Sequence, residues 1–377
     1  MAKIKSEISR SNIKVPILTQ LWGMTAGRCE FCNRSLLKDL TLGEDGNYGQ
    51  VAHIHAVSLN GPRHVPDMSK EEINNVANLM LLCYDHHTMI DKNPDRFSDD
   101  SLYKLKCEAE ARIDCLTSIS DMRKCTIISY FGNIDGNPVI HDSELFRRAV
   151  IKAGLYPGTN KGIDLSEQEV GGYVPQKDFF VSKSQNLEKR FRLMFGDIVK
   201  QGETVAVFAL ASQPLLIKLG SLLNDKYNAI PFQCHRDGEK WTWRNTGDDV
   251  EFIIQLPSDF SGETCALVID LSARIDDSRI SEVCGDIPIV HLTIANPNRT
   301  FVTHQAIVTN FVCKFREVVE LIKNESHCKR ILLFPAMPIA LAVRLGMDYM
   351  HKTDPPMVIY EQGEPGMPFF ETITIGD

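Results

Sequence analysis

The sequence predicts an α/β protein of two domains, a small metal-stapled unit followed by a larger unit built from two similar halves. Three observations carry that expectation. First, the apolar run Leu79–Leu82 feeds a cluster at Cys83, His86 and His87, and a Cys pair, Cys29 and Cys32, lies upstream. Second, the short apolar stretches Thr204–Leu210 and Arg330–Phe334 are each followed by a Pro-containing turn and an apolar helix, as buried parallel strands are. Third, these two stretches match at one constant offset: Phe208, Leu215, Ile217, Lys218, Leu219 and Gly220 pair with Phe334, Leu341, Val343, Arg344, Leu345 and Gly346. A strand–turn–helix unit used twice implies two Rossmann-like α/β halves.

The chain has 377 residues, enough for two or three domains with real cores. No apolar run is long enough to span a bilayer, and the polar start shows no signal peptide, so the expected location is cytoplasmic, with no membrane partner. The 11 cysteines are odd in number and mostly scattered singly, which excludes a disulfide framework. A formal charge of −8 argues against a chain devoted wholly to nucleic acid, whose affinity comes from neutralised phosphates. A local basic patch stays compatible with it. Neither a Walker loop nor a GxGxxG fingerprint is present, so ATP or NAD use is not indicated.

In chain order, residues 1–28 form an arm or short helix whose Lys3, Lys5, Arg10 and Lys14 either touch phosphate or make a solvated face. The turn-rich Gly43–Gly49 precedes a strand carrying His53, and Ser58–His64 follows as a loop. Ser69 and Glu72 have capping-box spacing ahead of Asn78. The helix after Cys83 stops at Asn93-Pro94, and a charged amphipathic helix runs from Ser98 to about Thr117. The first domain therefore closes near residue 122. Cys125–Phe131 reads as a strand and Ser143–Ala153 as a helix with Gly154 after its basic end. Residues 155–176 are rich in Gly and Pro and form the expected linker, leaving halves at about 177–260 and 261–377.

Cys83 and His86 are three apart, the usual reach of two ligands on one zinc ion, and Cys29-x-x-Cys32 supplies the other two. A small unit with little core is stapled by such a metal. The bland alternative is four ordinary buried side chains.

A Cys pair, a strand with His, then Asn, then Cys/His and a further His on a helix is the residue order of the HNH, or ββα-metal, nucleases, and residues 1–122 resemble that family. The resemblance implies that His53 is the general base, that His87 and Asp91 hold a divalent ion (Mg²⁺, or Mn²⁺ or Ni²⁺), and that Asn78 pins the loop carrying His53. One position departs from the pattern: Ala52 stands where many relatives have a further metal ligand. Strand alternation puts His53 and His55 on one face, so His55 rivals His53 as base or ligand. Arg63 either clamps phosphate or is a surface residue, and His64 has a weaker claim still.

The half-repeat, together with Phe232–Trp243, Leu332–Pro338 and Ile359–Glu361, resembles the SAVED domain, a pair of fused CARF-like units that sense cyclic oligonucleotides. The resemblance covers residues 123–377, and the whole chain resembles the HNH–SAVED effector nucleases of bacterial CBASS anti-phage systems. It implies a cyclic di- or trinucleotide activator, a double-stranded DNA substrate, and homo-oligomers, expected as tetramers on activation. Stacking surfaces and phosphate donors are offered by His235, Arg236, Lys240, Trp241 and Trp243, though Trp241 and Trp243, two apart on an expected strand, equally suit a core. Gln213, Met337 and Pro338 follow the repeated strands, and Ser272 and Ala273 follow Val268–Leu271, at the strand ends where α/β folds bind ligands. Two other readings compete: a restriction-type HNH nuclease whose C-terminal domain recognises DNA, and a non-catalytic nucleotide-binding module with a relic HNH fold.

Overall fold

The computed structural model describes residues 13–39, 43–58, 61–118, 123–132, 142–159, 162–167, 176–196, 199, 203–235, 240–244, 247, 249–326, 328–362 and 366–376. The chain divides into two compact units, Met1–Ser120 and Asp121–Asp377.

The first unit opens with helix α1 (Val15–Met24), whose start is pre-set by Pro16. A turn then carries Cys29 and Cys32, closed by the Asn33 N–H on the Cys29 carbonyl, with Asn33 at a φ of 60°. Asn tolerates that left-handed conformation better than most residues. Strands β1 (Gly49–His53) and β2 (Leu79–Cys83) pair antiparallel, with His53 opposite Leu79. Between them lies α2 (Lys70–Ile73), closed by the reciprocal Ser69–Glu72 capping box that the sequence spacing predicts. Helix α3 (Tyr84–Lys92) leaves β2 directly, and α4 (Asp99–Thr117) completes the unit, N-capped by Ser98. Every residue of β2 is buried, and Leu79, Leu81 and Leu82 share a core with Leu21, Ile54, Ile90 and Leu102.

In the second unit β3 (Arg123–Phe131), α5 (Ser143–Lys152), β4 (Leu155–Pro157), β5 (Ile163–Asp164), α6 (Lys177–Phe191), β6 (Thr204–Leu210), α7 (Gln213–Leu223) and β7 (Asn228–Pro231) come first. There follow β8 (Phe252–Gln255), β9 (Thr264–Asp270), α8 (Asp277–Cys284), β10 (Ile289–Ile294), α9 (Gln305–Ser326), β11 (Arg330–Ala336), α10 (Ile339–Asp348), β12 (Met357–Gln362) and β13 (Phe369–Ile375). They make two sheets. One has the order β4-β3-β6-β7, with β5 also on β3, and all its pairings are parallel. The other runs β13-β12-β11-β9-β10-β8, parallel at its centre and antiparallel at both edges.

The central strands are apolar throughout because both their faces are covered. Val205 and Val207 of β6 and Leu267 and Ile269 of β9 face a shared core with α6, α7, α9 and α10. Ala206 and Phe208 turn the other way onto α5, and Ala266 and Val268 onto α8. The two α/β halves thus enclose a common helical layer. The stretch expected as a linker contributes β4 and β5, and both pair with β3, so the first half begins upstream of residue 177. Pro157 ends β4, and Gly158 and Gly162 lie between β4 and β5.

The sequence repeat has a physical counterpart in α7 and α10. A Cβ on Gly220 would sit 2.0 Å from the Val343 carbonyl oxygen, and one on Gly346 would sit 2.0 Å from that of Ile217. The contact is reciprocal between matched positions of the two halves. The helices meet backbone to backbone, which only glycine permits. Among the described residues no helix is long and apolar enough to cross a membrane.

Candidate functional site

Cys29 and Cys32 come from the first turn, Cys83 from the end of β2, and His86 from the first turn of α3. Their ligand atoms all lie within 4.8 Å of one another. His86 Nδ1 is 3.0 Å from Cys83 Sγ and 3.9 Å from Cys29 Sγ. A tetrahedron with zinc–sulfur bonds of about 2.3 Å has edges near 3.8 Å, so three sulfurs and one imidazole nitrogen fit zinc. Burial pushes the Cys83 thiol up to about 11, and neighbouring Cys29 and Cys32 add to the effect. A bound cation reverses that by favouring the thiolates. Phe31 stacks on the His86 ring at 4.2 Å and fixes its plane. Beneath the turn, buried Glu30 accepts from the Leu81 N–H and meets Lys106 at 3.5 Å. Burial holds the Glu30 carboxyl up at about 7.

The histidine face lies alongside. Ala52 and Ile54 point into the core, and His53 and His55 share the opposite face, half-buried. His53 Nε2 donates to Asn74 Oδ1 at 3.1 Å. His55 Nδ1 donates to the Arg63 carbonyl at 3.2 Å, and its ring lies 5.7 Å from that of Tyr103. Asn78, buried, accepts from the His55 N–H at 2.9 Å and donates to the Ile73 carbonyl at 2.9 Å and the His55 carbonyl at 3.3 Å. Its amide therefore clamps the main chain just beyond β1.

On α3, His87 Nδ1 lies 3.6 Å from Asp91 Oδ2, one turn away, and His87 is 8 % exposed. One imidazole and one carboxylate form a donor pair that leaves room for water and phosphate on a hard divalent ion. Among the described residues, the zinc set is the single group of three or more such side chains whose donor atoms converge.

Arg63 differs from the open phosphate clamp that the sequence suggests. Its side chain is 6 % exposed, and its guanidinium donates to the Ile54 and Phe97 carbonyls and lies 4.0 Å from Asp91. With a φ of 59° it folds the loop back onto the strand end. His64 Nδ1 donates to the Ala56 carbonyl.

In the second unit, the turns after β6 and β11 come together. Gln213, at the start of α7, donates to the Met337 carbonyl just before α10. Buried Gln233 accepts from the Ala340 N–H in the first turn of α10. His235 and Trp243 lie edge to face at 6.2 Å. Three buried polar atoms here have no hydrogen-bond partner: Gln213 Oε1, His235 Nε2 and Trp243 Nε1. Burial and nearby Arg244 push the His235 imidazole below its usual range.

Trp241 is a correction. It is 5 % exposed, packed against Phe131, Phe146 and Phe208, and residues 241–244 form no strand. Met337 and Pro338 bury their side chains, so main chain rather than side chain is presented there. Lys240 is exposed, and its carbonyl accepts from the His235 N–H. Arg236 lies outside the described residues. Ser272 and Ala273 follow β9 in the other sheet, where the Ser272 N–H donates to Ala336.

Sequence reasoning missed Asn74, Gln233 and a cavity of about 660 Å³ lined by Asp270, Arg274, Asp277 and His291, among others. Asn74 is a single polar residue with no chemical motif around it, and Gln233, though inside the Phe232–Trp243 stretch, is buried and not distinguished there by its residue type. The cavity is lined by strand ends, the start of α8 and the loops between them, all within residues 255–291, and its residues form no motif.

Comparison with known proteins gives two family matches. Residues 187–375, half of the chain, match SAVED, the SMODS-associated and fused to various effectors sensor domain. Residues 29–93 match an HNH endonuclease family. The curated proteins include no match. Similar solved structures include the Acinetobacter baumannii Cap4 SAVED/CARF-domain containing receptor with the cyclic trinucleotide 3'3'3'-cAAA, at 13 % identity, covering 77 % of this chain and 60 % of that one, with a TM-score of 0.40. The same receptor with 2'3'3'-cAAA shows 12 % identity, the same coverage and a TM-score of 0.40. The Moraxella osloensis Cap4 receptor shows 12 % identity, 76 % and 60 % coverage and a TM-score of 0.36. The chain spans about 60 % of the length of these receptors.

Proposed function

We propose, from the premise that this chain belongs to the SAVED family and joins an HNH endonuclease domain to its sensor domain, that a cyclic oligonucleotide bound by the second unit switches on DNA cleavage by the first. The domain boundary of this reading falls near residue 122. The setting that suits it is a CBASS anti-phage effector in the bacterial cytoplasm.

The observation that carries the gating is the group of three buried, unpartnered polar atoms on Gln213, His235 and Trp243. Buried polar groups are normally paired, and each exception calls for an explanation. Here they accompany the first turns of α7 and α10, the positive ends of the helix dipoles, which favour anions. A cyclic oligonucleotide supplies base edges for the polar atoms, faces for the Trp243 ring, and phosphates for the helix ends. Exposed Lys240, whose carbonyl accepts from the His235 N–H, adds positive charge at the same segment.

In the nuclease unit His53 takes a proton from water as the water oxygen attacks phosphorus. One phosphorus–oxygen bond forms, the bond to the leaving sugar oxygen breaks, and that oxygen takes a proton from a second water molecule. A neutral imidazole suits the first step near pH 7. A divalent ion held by His87 and Asp91 would supply charge neutralisation at the phosphate. The zinc set has a structural part, joining the turn at Cys29 to the β2–α3 junction. Asn78 and Arg63 hold the main chain from Ile54 to His55.

Activation by assembly into tetramers completes the proposal. Linkage requires tighter ligand binding by the active assembly than by the resting one. The test of the sensor is Trp243→Phe, which keeps a ring and removes the N–H. Affinity for the activating nucleotide, measured by calorimetry on the full chain, is expected to fall about tenfold. Unchanged affinity would move the site elsewhere.

A further inference from the structure

Asn74 is assigned by nothing above to the chemistry, yet it holds the ring of the proposed base. We infer that Asn74 is a positioning residue that sets the tautomer and orientation of His53; the inference rests on the nuclease reading of that ring. Its carboxamide oxygen lies 3.1 Å from His53 Nε2 and can only accept. Nε2 therefore carries the proton, and the lone pair of the neutral ring is on Nδ1. The hydrogen bond fixes which nitrogen can take a proton from water, as the partner on one imidazole nitrogen decides the role of the other.

The segment carrying Asn74 is held at both ends. The Ser69–Glu72 box closes the front of α2, and the Asn74 N–H donates back to Lys70. Next to it, the Ile73 side chain is buried and its carbonyl accepts from Asn78. Asn74 itself is 7 % exposed. Two asparagines on one short connection thus act on the same strand end: Asn78 on the main chain at His55, Asn74 on the ring of His53. His55 is set the opposite way. Its Nδ1 donates to the Arg63 carbonyl, which leaves its lone pair on Nε2. The two histidines share a face but carry their ring protons on different nitrogens.

Substitution separates positioning from folding. Asn74→Ala removes the acceptor, and the metal-dependent rate of plasmid nicking is expected to fall roughly 10- to 100-fold, the usual loss when a partner orienting a functional histidine is deleted. Asn74→Asp keeps an acceptor in place and adds a negative charge. A carboxylate favours protonated imidazole, so His53 becomes neutral only at higher pH. The Asp variant should recover most of the rate, with the acid limb of its pH–rate profile moved upward by about one unit. A merely structural asparagine would leave that limb where it is.

The second readout does not depend on cleavage. In the full chain with ¹⁵N-labelled histidine, His53 assigned through His53→Gln, NMR should show the Nε2–H tautomer in the wild type and a mixed population in Asn74→Ala. An Nδ1–H tautomer in the wild type, or an unshifted acid limb in a folded Asn74→Asp variant, overturns the inference. If the wild type fails to cut under any condition while the tautomer is as expected, the nuclease reading fails and the positioning bond stands.

Discussion

His53 and His55 are two residues apart and face the same way, and pattern alone leaves both as candidate bases. Their hydrogen bonds separate them, because the His55 ring is committed to the Arg63 carbonyl with Asp99 at 3.9 Å, while the His53 ring is turned by Asn74. The expected outcome follows. His53→Ala should lower nicking by about 10²- to 10⁴-fold, the worth of a general base, with zinc content at the wild-type level by metal analysis. His55→Ala should keep measurable nicking and lower thermal stability. The reverse order of rates would exchange their roles. The convergence of Cys29, Cys32, Cys83 and His86 and the shared face of His53 and His55 were legible because spacing along the chain is itself the signal. Asn74 was not, since a lone asparagine reads only as turn or cap. Trp241 misled because an alternating pair resembles a strand, whereas tertiary packing of four aromatic rings decides its place.

A titrating pair belongs to the same scale. His291 contacts Asp270 at 3.5 Å and Asp277 at 2.8 Å, while Arg274 lies 3.4 Å from Asp270. Hydrogen bonding to Asp270 is the largest influence holding the His291 imidazole above its usual range, helped by Asp277 and opposed by burial. A raised folded-state value stabilises the fold fully below the ordinary histidine value, about 6.5, and that stabilisation is lost as pH rises through the raised value. Denaturant unfolding should therefore show a pH-dependent loss above about 6.5 that His291→Gln flattens. Identical slopes in both proteins would contradict it.

Among elements, α7 and α10 matter most, because they join the two halves and deliver their first turns to the candidate ligand site. Their contact is the structural meaning of the repeated Leu-Gly pairs, Leu219-Gly220 and Leu345-Gly346. A methyl group at either glycine runs into a carbonyl of the other helix. Gly220→Ala is expected to cost about 3 kcal/mol, seen as a lowered Tm, and Gly346→Ala should behave alike because the contact is reciprocal. A neutral result for either would mean that the helices can part without loss. The repeat was visible in sequence, and so were the central strands, since burial on both faces writes continuous apolar runs. β4 and β5 were hidden, because short edge strands in Gly/Pro-rich sequence bury too little to leave a pattern.

Across the whole molecule, an acidic chain joins an HNH endonuclease domain holding a convergent Cys/His set to a larger SAVED sensor domain with no such set among its described residues. The central claim is that the second unit controls the first. It is tested most directly by plasmid cleavage with the purified full chain in Mg²⁺, with and without a panel of cyclic di- and trinucleotides. Cutting that depends on one member of the panel is the predicted result. Equal cutting in the absence of every nucleotide would contradict it and favour a restriction-type nuclease.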